Sequence, residues 1–262
     1  MSVVRTETVD GVCTVTMCDE ERRNALSREL LAGMVEAFET AEADDDVRVI
    51  VLTNAGNTFC AGADLSERSG SSEDIPAISP MDLFARFAKS PKPYVGRIAG
   101  HCVAGGMGLA AAMDISVADE DAKFGFTEVR IGVAPAMISV VCLPKMRRAD
   151  ARATFLRGQR FLGRDAAAMG LINDAVPAAE LDAAVDAVID DLLLGGPEAM
   201  GWCKKLLVDV PTMSVDDAFE WTAGVSSALF GSEEAQEGMG AFLERRPPSF
   251  ARTRGNVGGD TE

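Results

Sequence analysis

The chain opens with two runs in which apolar and polar residues alternate, Val3 to Val9 and Val12 to Met17, separated by Asp10-Gly11. A period of two marks a half-buried strand, and Asp-Gly is favoured in two-residue hairpin turns, so an N-terminal β-hairpin is expected. Leu30, Met34, Phe38 and Ala41 then recur at helical spacing behind Ser27, a good N-cap, and Asp44-Asp45-Asp46 ends that helix. Val47 to Thr53 reads as a buried strand. Pro80 opens a helix through Phe87, and Tyr94 to Ala99 is the next strand. Met107 to Met113 is a short helix of small residues, followed by a strand at Ile115 to Ala118.

Strand, glycine turn and helix recur without a fixed period, so the chain is α/β and not a repeat array. Past Gly195-Gly196-Pro197 the strands stop. Helical stretches at Glu198–Val208, Val215–Phe230 and Ser232–Arg245 follow, which divides the chain into an α/β core over 1–195 and a helical module over 196–262. Gly255 to Glu262 reads as a frayed tail. The Ser66–Pro80 segment, rich in Ser, Glu, Asp and Pro, reads as a mobile loop of the kind that carries selectivity beside a site.

With 262 residues, 47% of them hydrophobic, the chain can bury a sizeable core. No apolar run reaches the roughly 18 residues of a membrane span. The first residues lack a signal-peptide pattern, so a cytoplasmic protein is expected. A net charge of -16 argues against nonspecific nucleic-acid binding. It leaves room for an anionic small molecule wherever basic residues gather, as in Arg22-Arg23, Lys145 with Arg147-Arg148, and Arg245-Arg246. The six cysteines sit in apolar contexts without metal-ligand spacing and are expected to be reduced core thiols.

Two turns carry the chemistry. Phe59-Cys60-Ala61-Gly62-Ala63-Asp64 and Gly100-His101-Cys102-Val103-Ala104-Gly105-Gly106 each follow an apolar, β-branched run and consist of small residues. Backbone N–H groups in such turns are open to a ligand, and two turns brought together can offer a pair of donors to a developing oxyanion. The rival readings are weaker. A phosphate-binding P-loop needs Lys and Ser or Thr after its last glycine, and Gly106-Met107 supplies neither. Gly106-Met107-Gly108-Leu109-Ala110-Ala111 matches a dinucleotide fingerprint, with Glu128 at a suitable distance. The next strand begins too soon for the βαβ unit that fingerprint requires. His101, the only histidine, has no Gly-x-Ser-x-Gly elbow to serve, so a packed or partly exposed imidazole is expected. Close helix packing remains a sufficient explanation of the glycines taken alone.

In order, Asn24-Ala25-Leu26, Phe59 to Leu65, Ile98 to Asp114, Phe124-Gly125-Phe126-Thr127-Glu128, Met169-Gly170-Leu171-Ile172 and Glu237 to Arg246 resemble the motifs of the crotonase superfamily, the enoyl-CoA hydratases and isomerases. The resemblance covers nearly the whole chain. It implies a spiral of ββα units with a helical C-terminal oligomerisation module, and a homotrimer or dimer of trimers. It also implies an acyl-CoA thioester substrate, with neither a metal nor a separate cofactor.

Carried over by position, the resemblance makes the N–H groups of Ala63 and Gly105 the oxyanion donors and Glu128 the proton-transfer residue. The CoA arm would run along Arg22, Ala25, Leu26, Ala61, Asp64 and Leu65. Arg245 and Arg246 of a neighbouring subunit would meet its phosphates. Hydratases of this family usually hold water between two glutamates, and the position of the first is Gly108 here. Thr127 to Ser139 resembles a branch of methylglutaconyl-CoA hydratase-like proteins, some of which share that glycine. The resemblance therefore implies hydration. The alternatives are isomerisation of an enoyl-CoA by one glutamate and a non-catalytic acyl-CoA-binding relative. Phe126 and Val129 are expected to give Glu128 an apolar setting.

Overall fold

The computed structural model describes residues 2–68 and 78–255. Most of the Ser66–Pro80 segment and of the tail after Gly255 lies outside the described residues.

The hairpin forms as its alternation requires, with β1 (Val4–Val9) antiparallel to β2 (Val12–Met17) around Asp10-Gly11. Ser27 caps α1 (Arg28–Ala43), its side chain accepting from the Leu30 N–H. β3 (Val49–Asn54) and β4 (Thr58–Cys60) lead to a one-turn helix α2 (Leu65–Arg68), so the expected loop begins with helix. α3 (Pro80–Lys89), β5 (Tyr94–Ile98) and β6 (His101–Val103) come next. α4 (Gly105–Ala112) starts two residues earlier than apolar periodicity indicates, which makes Gly105 its first residue. β7 (Ile115–Asp119) and β8 (Lys123–Gly125) follow, then a 3-10 turn over Glu128–Ile131.

The remainder runs α5 (Ala136–Cys142), α6 (Arg148–Arg157), β9 (Phe161–Leu162), α7 (Gly163–Ala168) and β10 (Asp174–Val176). α8 (Leu181–Leu194) then leads to the terminal helices α9 (Pro197–Asp209), α10 (Val215–Phe230) and α11 (Glu233–Glu244).

Two sheets result. The larger has the order β1-β2-β3-β5-β7-β10 and is parallel except for the hairpin; the smaller has the order β4-β6-β8-β9, with β4, β6 and β8 parallel. β3 is buried on both faces, as a central parallel strand should be. Its Val49 and Val51 pack with Leu181, Val185, Ile189 and Leu193 of α8, which recur every fourth residue. Ile50 and Leu52 face the main core, shared with α1, α3 and α4. There Phe38, Phe87 and Tyr94 make edge-on contacts with ring centroids 4.8–5.7 Å apart.

The cysteine expectation holds for Cys13, Cys60, Cys102 and Cys142, which are buried, but Cys18 is half-buried and Cys203 is exposed on α9. Cys203 stands on an amphipathic helix, and its apolar sequence neighbours do not share its face. Among the described residues no helix is long and apolar enough to cross a membrane.

Candidate active site

The three segments singled out in the sequence leave the C-terminal ends of three adjacent parallel strands. Ala61 to Asp64 follows β4, Ala104-Gly105 follows β6, and Phe126 to Glu128 follows β8. This edge of an open parallel sheet is where α/β folds commonly place ligands. The strands bring the segments together because Val103 pairs with Gly125 and the Ala104 N–H donates to the Gly125 carbonyl at 3.0 Å.

Each donor N–H follows a residue with positive φ. Gly62 lies at φ 93°, and Ala104 at φ 49° and ψ −119°. The second is a glycine conformation held by an alanine, a type of strain worth about 1–3 kcal/mol. The turns are in direct contact: a Cβ on Gly105 would lie 3.3 Å from Gly62 Cα and 3.6 Å from Ala63 N. Among the described residues neither the Ala63 nor the Gly105 N–H has a protein acceptor. Gly105 is the first residue of α4, so its N–H has no intrahelical partner and the helix dipole adds positive potential beside it.

The segment from Arg22 to Leu26 braces the first turn. The Leu26 N–H donates to the Gly62 carbonyl at 2.7 Å and the Ala61 N–H to the Arg23 carbonyl at 3.1 Å. Leu26 and Ala63 form an isolated parallel bridge. Arg23 and Asn24 both have positive φ, and Asn24 is fully buried, its side chain donating to the Thr58 carbonyl at 2.7 Å. Ala25 and Leu26 are buried, whereas Leu65 is exposed at the start of α2. The Asp64 carboxylate accepts from the Ser66 N–H and hydroxyl, which holds it below the usual carboxylate range. Arg22 stays half-exposed, 3.7 Å from Asp19 and 3.8 Å from Glu29.

Glu128 opens the 3-10 turn. Among the described residues its buried Oε2 has no hydrogen-bond partner, and burial pushes its carboxyl above the ordinary value. Phe126 is buried beside it as expected. Val129 is not: it is 41% exposed and directed toward Gly158. On a 3-10 turn, consecutive residues point in different directions, which removes Val129 from the Glu128 environment. Instead Cys142 of α5 lies near enough for the Glu128 charge to help raise its thiol, pushed up to about 12 chiefly by burial.

At Gly108, one helical turn beyond Gly105, an added Cβ would meet Ile138 Cγ2 at 2.5 Å and the Phe84 ring at 2.8 Å. An apolar wall thus occupies the space of any side chain there. In the sequence Phe84 was only a member of the expected Pro80–Phe87 helix, and Ile138 only part of the Thr127–Ser139 resemblance.

His101 is half-exposed, and its Nδ1 accepts from the Lys123 N–H at 3.0 Å, a structural bond across β6 and β8. Two of the basic groups make contacts that the sequence did not indicate. Lys145, exposed over much of its length, donates from Nζ to the Met113 carbonyl at 3.1 Å, at the end of α4. Arg246 is committed to Glu237 and Glu244, both at 2.7 Å, while Arg245 is exposed without an ion pair among the described residues. Both guanidinium groups stay on the surface, Arg246 held by its ion pairs and Arg245 open. Among the described residues no group of three His, Cys, Asp or Glu is placed to hold a metal ion.

The family profile for enoyl-CoA hydratase/isomerase matches residues 7–253. The chain belongs to the enoyl-CoA hydratase/isomerase family, within the crotonase superfamily. It is 37% identical over 245 residues to a Thermus thermophilus protein that carries the provisional name enoyl-CoA hydratase, covering 91% of this chain and 97% of that one. It is 32% identical over 246 residues to enoyl-CoA hydratase EchA19 of Mycobacterium tuberculosis, covering 90% and 91%. The crystal structure of a Mycobacterium smegmatis enoyl-CoA hydratase superposes with a TM-score of 0.89 at 28% identity, covering 95% of this chain and 99% of that one. The enzyme family and its fold are therefore those the sequence motifs resembled.

Proposed function

We propose that this enzyme hydrates a 2-enoyl-CoA thioester. The observation that carries the reading is one edge of a sheet presenting two unpartnered N–H donors and a buried carboxylate oxygen without a partner. The thioester carbonyl oxygen would accept from Ala63 and Gly105. Glu128 takes a proton from water as the hydroxyl adds to the β-carbon, and the electron pair moves onto the carbonyl oxygen as an enolate. The same carboxyl then returns the proton to the α-carbon, so atoms and charge balance with one acid–base group. Losing one such donor costs about 3–4 kcal/mol of transition-state stabilisation. Burial raises the Glu128 pKa above the ordinary carboxylate value, which suits a group that must both accept and donate.

The CoA arm would pass Arg22, Ala25, Leu26, Ala61, Asp64 and Leu65, with Arg245 and Arg246 of a neighbouring copy meeting phosphate. A neighbouring copy is supported by the apolar side chains left open on the terminal helices: Val215, Phe219, Phe230, Phe242 and Leu243 are 64–82% exposed. Patches of this kind mark interaction surfaces. A homotrimer or dimer of trimers, in the cytoplasm and without a metal or separate cofactor, completes the reading.

One observation favours a second reaction. The Phe84–Ile138 wall leaves no room for a water-holding carboxylate at position 108, which favours Glu128 moving a proton between the α- and γ-carbons of a 3-enoyl-CoA. Incubation with crotonyl-CoA, 3-methylglutaconyl-CoA and a 3-enoyl-CoA in heavy-oxygen water separates the two by mass spectrometry. Heavy oxygen in a 3-hydroxyacyl product is expected. A 2-enoyl product formed from the 3-enoyl-CoA without oxygen uptake makes the enzyme an isomerase. Binding of all three without change makes it a non-catalytic relative.

A further inference from the structure

Glycine is plentiful around the second turn, where Gly105 and Gly106 follow Ala104 directly, yet the residue with the glycine-like backbone is the alanine. Its backbone is tied at both ends: the Ala104 N–H donates to Gly125, and its carbonyl accepts from the Met107 N–H at 2.9 Å. A Cβ added to Gly62 would fall 2.7 Å from the Ala104 Cβ, so the Ala104 methyl rests directly against Gly62 Cα. Gly62 and Ala104 are the residues that precede the two donor peptides. Their contact is a direct mechanical link between the two N–H groups.

We infer that Ala104 is a positioning residue, whose methyl group braced on Gly62 sets the spacing of the Ala63 and Gly105 N–H donors. The inference rests on the reading of those groups as oxyanion donors. A glycine at 104 adopts the same φ without strain but removes the brace and frees the turn. Small displacements of groups that act in the transition state cost rate and spare ground-state binding. Side-chain filling alone gives a different expectation, since a half-exposed methyl contributes little to the core.

The test uses Ala104→Gly, with Ala104→Ser as the variant that keeps a Cβ. Two CoA probes are compared: acetoacetyl-CoA, whose bound enolate is followed by its ultraviolet absorbance against pH, and an S-ethyl CoA thioether, which has no carbonyl. In Ala104→Gly, kcat and the enolate fraction at fixed pH are expected to fall about tenfold, with KM and thioether affinity nearly unchanged and Ala104→Ser close to wild type. A folded Ala104→Gly protein with wild-type enolate formation and kcat overturns the positioning role. A wild-type protein that does not favour the enolate at all overturns the donor assignment itself, and Ala104 with it.

Discussion

The Phe84 ring stands where a side chain on Gly108 would have to begin, 2.8 Å from the ideal Cβ. No carboxylate can project from position 108 without displacing that ring. Gly108→Glu is expected to lower the thermal midpoint, since overpacking costs about 1–3 kcal/mol before any carboxylate is desolvated. Phe84→Ala in the same chain should restore part of that loss. A Gly108→Glu protein as stable as wild type would show that the wall yields.

Glu128 links the site to pH. Burial raises its carboxyl above 4.5, so between that value and the folded one the native state holds a proton that the unfolded chain has lost. Stability therefore rises as pH falls through this interval, and at neutral pH the ionised group is a cost. Glu128→Gln removes the cost. In urea unfolding the variant is expected to be more stable than wild type at pH 7, with the advantage shrinking toward pH 4. An equal difference at both pH values contradicts the shift. If Glu128 is the base of the proposed reaction it must be ionised, so turnover is also expected to fall as pH drops through its raised value.

Lys204 on α9 fastens the terminal helices to the end of the glycine-rich helix. Its side chain is 6% exposed, and Nζ donates to the Phe87 and Lys92 carbonyls, each at 2.8 Å, and to Asp114 at 2.7 Å. Lys204→Met leaves Asp114 and two carbonyls without that partner and should cost about 3–5 kcal/mol in denaturant unfolding. Asp114→Asn combined with it should cost less than the two changes summed. A single change worth under about 1 kcal/mol, the value of an exposed pair, would show that this contact does not hold the module.

The open face of α11 predicts association. Phe242→Asp with Leu243→Asp is expected to give a monomer in sedimentation, with helical circular dichroism retained. An unchanged mass would place the contact elsewhere.

Much of this was legible in the residues, for reasons that differ by element. The hairpin, α1 and the terminal helices were readable because period and capping are local: Asp10-Gly11 and Ser27 act within a few residues. The second sheet was not, because β4, β6 and β8 are three residues each, too short for a period to emerge. The small residues marked out the two turns, since open backbone requires small side chains, and the family resemblance singled out Ala63 and Gly105 within them. Ala104 gave no sign, since nothing in an alanine announces a positive φ. The wall at Gly108 depends on Phe84 and Ile138 meeting from α3 and α5, a tertiary fact that spacing does not encode. The hydrogen bond from Lys145 to the Met113 carbonyl is of the same kind.

Comparing wild type with Glu128→Gln on a 2-enoyl-CoA, with turnover and thioester affinity measured on the same preparations, tests the central claim most directly. If Glu128 alone moves the proton, kcat should fall by about 10²–10⁴-fold, the range of general acid–base catalysis, while affinity changes little. A folded Glu128→Gln enzyme that turns over at the wild-type rate would remove Glu128 from the mechanism.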